Sequence, residues 1–244
     1  LLTAKFNVNS RYYFYNIPEE ITKKGEYYIN IDEKAAYYYP ENINDMKLSV
    51  SSMSGGFFNI KAGAKNILFD NIHFSQLRGT AITATLCENI DITDCKFTCI
   101  GGSGVYIENS TKCDLAKNMY DNIGYMSVYI SGGDRPSLTP GENTIYDSRF
   151  TNGGRIAKTY SPFLRIRGVG TSVKNNHFYN HSSHAIIFEG NNHSIENNIF
   201  DTCVTESHDS GAIYAGGNTT CWGNVIKNNI FKNIRNDFMQ DKYA

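Results

Sequence analysis

The sequence predicts an all-β protein, a right-handed parallel β-helix in which coils of about 22 to 23 residues stack into a solenoid. Three observations support this prediction. A short motif ending in an aromatic residue recurs along the chain, short stretches of alternating apolar and polar residues precede its copies, and no stretch shows sustained helical spacing. We expect the β-helix to occupy residues 51–244 and a small β-hairpin subdomain to occupy residues 1–50.

The recurrent motif sets the length of one coil. Its aromatic residues are separated by 23, 23, 30, 28, 22 and 31 residues, which indicates one coil per copy with loop insertions in the longer members. Parallel coils stack about 4.8 Å apart, so equivalent side chains lie above one another. We therefore expect one aromatic stack inside the solenoid, formed by Phe74, Phe97, Tyr120, Phe150, Phe178, Phe200 and Phe231.

A second ladder is predicted two residues before each aromatic. Four of the seven positions hold asparagine, which can adopt unusual backbone angles at a turn and bond neighbouring peptide groups. We interpret this ladder as structural. Its members are Ile72, Cys95, Asn118, Ser148, Asn176, Asn198 and Asn229.

The first fifty residues have a different pattern. They contain short strand-like segments rich in tyrosine, joined by turns, at residues 12–15, 19–21, 25–28 and 37–40. Such aromatic density is found both in sugar-binding platforms and in packed subdomains, and we favour packing.

Composition excludes several classes of partner and cofactor. The net charge of −1 and the pI near 6.6 give no electrostatic reason to expect nucleic acid or an anionic membrane, and no apolar run is long enough to span a bilayer. No cysteine or histidine spacing matches a metal site, so we predict no metal and no cofactor. The six cysteines suit either three disulfides or a reduced core, and four N-x-S/T sites are compatible with secretion.

A second strand recurs once per coil and carries the candidate functional face. Alternation places its aliphatic residues inside and turns the residues between them outward. Loop insertions at residues 132–136, 153–160 and 205–222 flank this face and predict a groove rather than a flat surface. The outward residues are Tyr106, Glu108, Tyr129, Ser131, Arg165, Arg167, Glu189 and Tyr214.

Ionisable residues in the last coils are predicted to lie on the same side as this groove. Asp209 is the best candidate for a catalytic carboxyl group because it comes just before a strand, although carboxylates near turns are often caps. For His184 and His193 the alternative is a structural role, bonding backbone carbonyls between coils. The full set is His177, His184, His193, Glu196, Glu206, His208 and Asp209.

Several ordered motifs resemble a known family over nearly the whole chain. They are the hairpin region of residues 19–40, Ser131-Gly-Gly-Asp-Arg135, Gly168-Val-Gly170, His184-Ala-Ile186, Gly190-Asn-Asn-His193 and Asp209-Ser-Gly-Ala-Ile-Tyr214. In these motifs the chain resembles secreted β-helix glycoside hydrolases of the family that contains α-fucosidases and xylanases. The resemblance implies a secreted protein acting on a polysaccharide or oligosaccharide, with Asp209 catalytic. We predict Glu206, His184, His193, Asp134, Arg135, Arg165 and Tyr214 as substrate-binding groups.

The chain departs from the family pattern at two places. The second carboxylate of the family lies one coil later, in an Ile-Tyr-x-Asp-Asp segment, whereas this sequence stops at Lys242-Tyr243-Ala244, so we expect a solenoid truncated at its C-terminal end. After Tyr214 the family has Gly-Arg-Asp-Trp, and this chain has Gly216-Gly-Asn-Thr219. Both departures bear on activity and specificity.

Two alternatives to a hydrolase remain open. A polysaccharide lyase would use Arg165 or Arg167 as base, although the sequence has no compact acidic cluster for calcium. A non-catalytic glycan-binding or structural solenoid is favoured by the missing carboxylate and by Gly217 and Asn218.

Overall fold

The structure is a computed structural model that describes residues 14–42, 48–207 and 209–235. Contacts between residues divide the chain into two units, Leu1–Ser49 and Val50–Ala244.

The first unit contains a short 3-10 helix, Pro18–Glu20, and an antiparallel hairpin of β1 (Tyr27–Asn30) and β2 (Ala35–Tyr38). The rings of Tyr28 and Tyr37 stack across the hairpin with centroids 6.0 Å apart, a cross-strand pair of the kind that stabilises sheets. Several other aromatic side chains of this unit stay exposed, Tyr27 among them at 60%. Of the predicted segment 12–15, residues 12 and 13 lie outside the described residues.

The second unit is built from short strands, and its described residues contain no α-helix. No helix among the described residues reaches the length and hydropathy of a membrane span. In chain order the strands are β3 (Phe58–Ile60), β4 (Lys65–Asp70), β5 (His73–Ser75), β6 (Ile82–Thr85), β7 (Glu88–Thr93), β8 (Lys96–Thr98), β9 (Val105–Glu108), β10 (Asp114–Ala116), β11 (Met119–Asp121), β12 (Val128–Gly132), β13 (Thr144–Tyr146), β14 (Arg149–Gly153), β15 (Leu164–Val169), β16 (Ser172–Lys174), β17 (His177–His181), β18 (Ile186–Asn191), β19 (Ser194–Glu196), β20 (Ile199–Cys203), β21 (Ile213–Ala215), β22 (Val225–Lys227) and β23 (Ile230–Lys232).

These strands form three parallel sheets of seven strands each, and the unit is a right-handed parallel β-helix as predicted. Sheet 1 has the order β3-β6-β9-β12-β15-β18-β21, sheet 2 runs from β4 to β22 and sheet 3 from β5 to β23. Successive members of each sheet are three strands apart in the chain, so every coil contributes one strand to each sheet.

The predicted aromatic stack is confirmed. Phe97, Tyr120, Phe150, Phe178 and Phe200 are fully buried, and successive rings lie 4.7 to 5.0 Å apart with planes within 17°. Phe74 and Phe231 continue the stack at its two ends. The repeated motif thus supplies one large apolar side chain per coil to the core.

The predicted asparagine ladder is also confirmed. Its two predicted roles, bonding neighbouring peptide groups and adopting unusual backbone angles, are divided between adjacent residues. Oδ1 of Asn198 accepts the backbone N–H of Asn176 at 2.9 Å, and Asn229 does the same for Asn198. The unusual backbone angles belong to the preceding residues: Asn175 and Asn197 both have φ of 57°. One position therefore turns the chain and the next one joins the coils.

Candidate functional site

The longest connections of the solenoid meet the two ends of the sheet 1 strands. Residues 133–143 and 216–224 follow strands of sheet 1, whereas residues 154–163 and 204–212 precede them. By contrast, the connections from sheet 2 to sheet 3 contain only two residues per coil. Insertions therefore wall the outer face of sheet 1 on both sides, as the sequence predicted.

The side chains on the floor between these walls face outward but have little solvent exposure. Tyr129, Ser131 and Ile187 alternate with core residues of sheet 1, yet their exposures are only 7%, 6% and 3%. The rings of Tyr106 and Tyr129 stack on neighbouring coils with centroids 4.4 Å apart and planes 9° apart. The outer face of sheet 1 is thus a groove with an aromatic floor.

A charged cleft lies at one end of this floor. Arg167 and Glu189 are paired across β15 and β18, with Nη2 2.6 Å from Oε2, and this hydrogen bond raises the pKa of Arg167. Arg165 reaches the other carboxylate oxygen at 3.6 Å. The cleft has a volume of about 330 Å³ and is lined by Glu108, Asn109, Tyr129, Ser131, Gly132, Gly133, Arg135, Arg167, Gly168 and Glu189.

Bare backbone forms one border of the cleft. Gly132, Gly168 and Gly190 stack in register at the ends of β12, β15 and β18. Gly168 has φ of +100°, and a Cβ there would lie 2.0 Å from the carbonyl oxygen of Gly132. Only glycine fits this position.

Two of the predicted binding residues organise the adjoining loops. Asp134 accepts hydrogen bonds from the backbone and hydroxyl groups of Ser137, so its carboxylate caps its own turn. Arg135 donates from Nε to Asn191 at 3.0 Å and from Nη2 to Oγ1 of Thr220 at 2.7 Å. Arg135 lines the cleft and joins loop 133–143 to loop 216–224.

Asp209 belongs to a cluster at the opposite side of the groove, where the strands of sheet 1 begin. The ring of His184 lies 4.5 Å from that of Tyr214 and 5.4 Å from that of Tyr160, and its Nδ1 is 3.1 Å from the carbonyl oxygen of Gly211. Burial lowers the pKa of His184, a shift that the charge of Asp209 opposes. Tyr160 and then Asp209 raise the pKa of Tyr214. Asp209 itself is exposed.

Arg165 connects the cluster to the charged cleft. Its Nη2 donates to the carbonyl oxygen of Tyr160 at 3.1 Å, while Nη1 faces Glu189. The structure therefore brings Asp209, His184, Tyr214 and Arg165 into one neighbourhood.

The remaining predicted site residues have other surroundings. Glu206 pairs with Lys158 at 2.6 Å and joins the two loops that precede sheet 1. His193 is 1% exposed, with Nδ1 accepting the N–H of Thr171 and Nε2 3.2 Å from the carbonyl oxygen of Glu189. Both ring nitrogens are thus occupied inside the solenoid, and we leave His193 out of the proposed ligand contacts.

The placement of two ionisable residues differs from the prediction. His177 lies in β17 of sheet 3 and Glu196 in β19 of sheet 2, so neither shares the face of sheet 1. The prediction was wrong because strand alternation tells inside from outside but not which of three sheets a strand joins. His208 lies outside the described residues.

From the sequence, Arg167 was predicted only as an outward residue and as a possible lyase base, and Glu189 only as an outward residue. Their signal is an equal position in the strand repeat, because each directly follows a buried core residue, Ile166 or Phe188, in neighbouring coils. Trp222 and Tyr160, which are 59% and 56% exposed, lie within the predicted insertions 205–222 and 153–160 but were not named as site residues.

In the described part of the chain, no group of three or more histidine, cysteine, aspartate or glutamate side chains is arranged to hold a metal ion. All six cysteines fall within the described residues and are free thiols, four of them buried.

Comparison with known proteins identifies the family. A family model described as a right-handed β-helix region matches residues 26–150 and 80–240, which covers most of the chain. The chain belongs to the right-handed β-helix family. Neither a curated protein nor a solved structure gives a significant match to this β-helix protein.

Proposed function

We propose that this β-helix protein is secreted and binds an extended polysaccharide or oligosaccharide in the groove over sheet 1. The observation that carries the proposal is the cleft of about 330 Å³ between the insertion loops, with an aromatic floor and an arginine–glutamate pair. Carboxylate and guanidinium groups match the hydroxyl groups of sugars, and tyrosine offers an apolar surface to the sugar ring.

The arrangement of charges favours a chain over a single sugar. Glu108 and Glu189 both line the cleft but belong to coils three steps apart. At ~4.8 Å per coil this corresponds to roughly 14 Å between the backbones. A ligand that contacts both carboxylates must therefore cross several coils along the solenoid axis.

Binding is tested by calorimetry with a panel of neutral oligosaccharides, including xylan, mannan and fucosylated fragments. Replacing both members of the closer ion pair, Arg167→Gln with Glu189→Gln, removes one positive and one negative charge and should raise the dissociation constant at least about tenfold, because hydrogen bonds to charged groups contribute ~1.5–3 kcal/mol. The matched control is Lys227→Gln with Glu196→Gln, an ion pair of 3.3 Å on sheet 2. No binding to any glycan, or equal losses in both variants, would contradict the proposal.

A second candidate function is glycoside hydrolysis, favoured by Asp209 beside His184 and Tyr214. Glycosidases need two carboxyl groups roughly 5 to 9.5 Å apart. The β-helix glycoside hydrolases that the sequence resembles have a further carboxylate in a later coil. Hydrolysis by this protein therefore requires a second carboxyl group in addition to that of Asp209.

Hydrolysis is tested by measuring new reducing ends with the same glycans. Asp209→Asn should abolish product formation, and Asp147→Asn is the matched control because Asp147 is also exposed, with φ of 53° against 48° for Asp209. An unsaturated product that absorbs ultraviolet light would identify a lyase instead. Glycan binding that survives in Asp209→Asn, with no product from either protein, would leave binding as the function.

A further inference from the structure

A second cavity adjoins the charged cleft on the side of loop 216–224. It has a volume of about 230 Å³ and is lined by Arg135, Pro136, Leu138, Asn191, Thr220 and Trp222. Trp222 is the only tryptophan in the sequence, and 59% of its surface is exposed. A large exposed aromatic ring at the mouth of a cavity is a typical stacking surface for an amphipathic ligand.

The backbone beside the indole is held in place by Asn191, the last residue of β18, and by Asn192, which follows it. The carbonyl oxygen of Trp222 accepts the N–H of Asn192 at 3.1 Å and Nδ2 of Asn191 at 3.4 Å. Asn191 also donates to the carbonyl oxygen of Thr220 at 2.8 Å. The cavity is therefore formed before a ligand arrives, which reduces the entropy lost on binding.

Arg135 connects this cavity to the charged cleft because it lines both. Its Nε and Nη2 bond only neutral acceptors, on Asn191, Thr220 and Cys221. Among the described residues no carboxylate lies within ion-pair distance of Arg135, whereas Arg165 and Arg167 share Glu189. The guanidinium charge of Arg135 is thus uncompensated in a concave, partly buried site.

We propose that Trp222 and Arg135 form a second subsite of the groove, which binds a sugar ring bearing an anionic substituent. The ring stacks on the indole and its carboxylate or sulfate group faces the guanidinium. This inference rests on the proposed function, since the same chain ligand continues from the charged cleft into the subsite.

The test uses three matched probes: a β-1,4-mannan oligomer, the corresponding mannuronate oligomer and the same mannan chemically sulfated. Quenching of Trp222 fluorescence and calorimetry report binding to the full chain. We expect at least one anionic probe to bind about tenfold more tightly than the neutral one, and whichever is preferred identifies the substituent. Trp222→Ala should weaken all three probes, and Tyr146→Ala, an exposed aromatic on sheet 2, should weaken none.

Two substitutions test whether the positive charge of Arg135 causes the preference for an anionic probe. Arg135→Gln should remove the preference for the anionic probe while the neutral probe still binds, and Arg135→Lys should retain the preference. Equal affinity for all three probes, a preference that survives in Arg135→Gln, or no binding of any probe would overturn the inference. If neutral glycans bind through Arg167 and Glu189 but Trp222→Ala has no effect, the subsite fails and the proposed function stands.

Discussion

Asn176 and Asn198, one coil apart, are joined by two hydrogen bonds. Oδ1 of Asn198 accepts the backbone N–H of Asn176 at 2.9 Å and also the side-chain Nδ2 of Asn176 at 3.1 Å. Nδ2 of Asn198 donates in turn to the carbonyl oxygen of Val173 at 3.0 Å. Because both residues are buried, each bond replaces contact with water that the folded chain has lost.

Removing one member of this ladder should destabilise the solenoid. Asn198→Ala leaves the N–H of Asn176 without its partner in the interior and removes one hydrogen bond to the carbonyl of Val173, and we expect a loss of about 2–4 kcal/mol in the free energy of unfolding. Chemical denaturation measures it. Asn59→Ala, an exposed asparagine in β3, is the control and should change stability by less than about 0.5 kcal/mol.

The aromatic stack offers a sharper contrast between neighbouring residues. Phe178 is fully buried between Phe150 and Phe200, whereas Tyr179 faces outward and is 39% exposed. We expect Phe178→Ala to cost about 3–5 kcal/mol of unfolding free energy, and Tyr179→Ala much less. Equal costs in thermal or chemical unfolding would show that the rings do not form the core.

Gly168 should tolerate no side chain. Alanine there would combine a strained backbone angle with the 2.0 Å approach to Gly132, so Gly168→Ala should destabilise the protein strongly or prevent folding. Gly63→Ala separates the two effects, because Gly63 has φ of +85° but open space around it. The difference between the two variants in expression yield and unfolding midpoint measures the contribution of the steric overlap.

Buried histidines should make stability depend on pH. His181 is 1% exposed, and burial lowers its pKa from 6.5 to about 3. Between these values the unfolded chain binds the proton and the folded chain does not, so the free energy of unfolding falls as the pH decreases from about 6.5 towards 3. The slope from this residue is on the order of 1.4 kcal/mol per pH unit at most.

His181→Gln isolates that contribution. The variant should be less stable at pH 7, because Nδ1 of His181 accepts the N–H of Ser183 at 2.8 Å, but its stability should change less between pH 7 and pH 4. Urea denaturation at several pH values measures both. An unchanged slope would contradict a neutral, buried His181.

Much of the fold was predictable because the β-helix repeats a local rule. Each copy of the motif places one residue with positive φ, one ladder residue and one core aromatic, as in Asn197, Asn198 and Phe200. These roles depend on residues adjacent in sequence and one coil away. A sequence with a regular period therefore reveals them.

The site was predictable only in part. Sequence alternation gave the outward face and the positions of the walls, but the contacts that shape the site join distant loops. Arg135 and Thr220 are 85 residues apart, and Lys158 and Glu206 are 48 apart. Such pairings depend on how loops of different lengths fold over the coils, which periodicity does not determine.

The most direct test of a glycan in the groove over sheet 1 is side-chain footprinting by hydroxyl radicals, with and without a bound oligosaccharide. Trp222 and Tyr160 lie on the walls at opposite ends of sheet 1, whereas Tyr146 and Tyr179 lie on sheets 2 and 3. All four are at least 36% exposed and can react. We expect the glycan to protect Trp222 and Tyr160 and to leave Tyr146 and Tyr179 unchanged. Protection confined to Tyr146 or Tyr179 would place the ligand on another face and contradict the account.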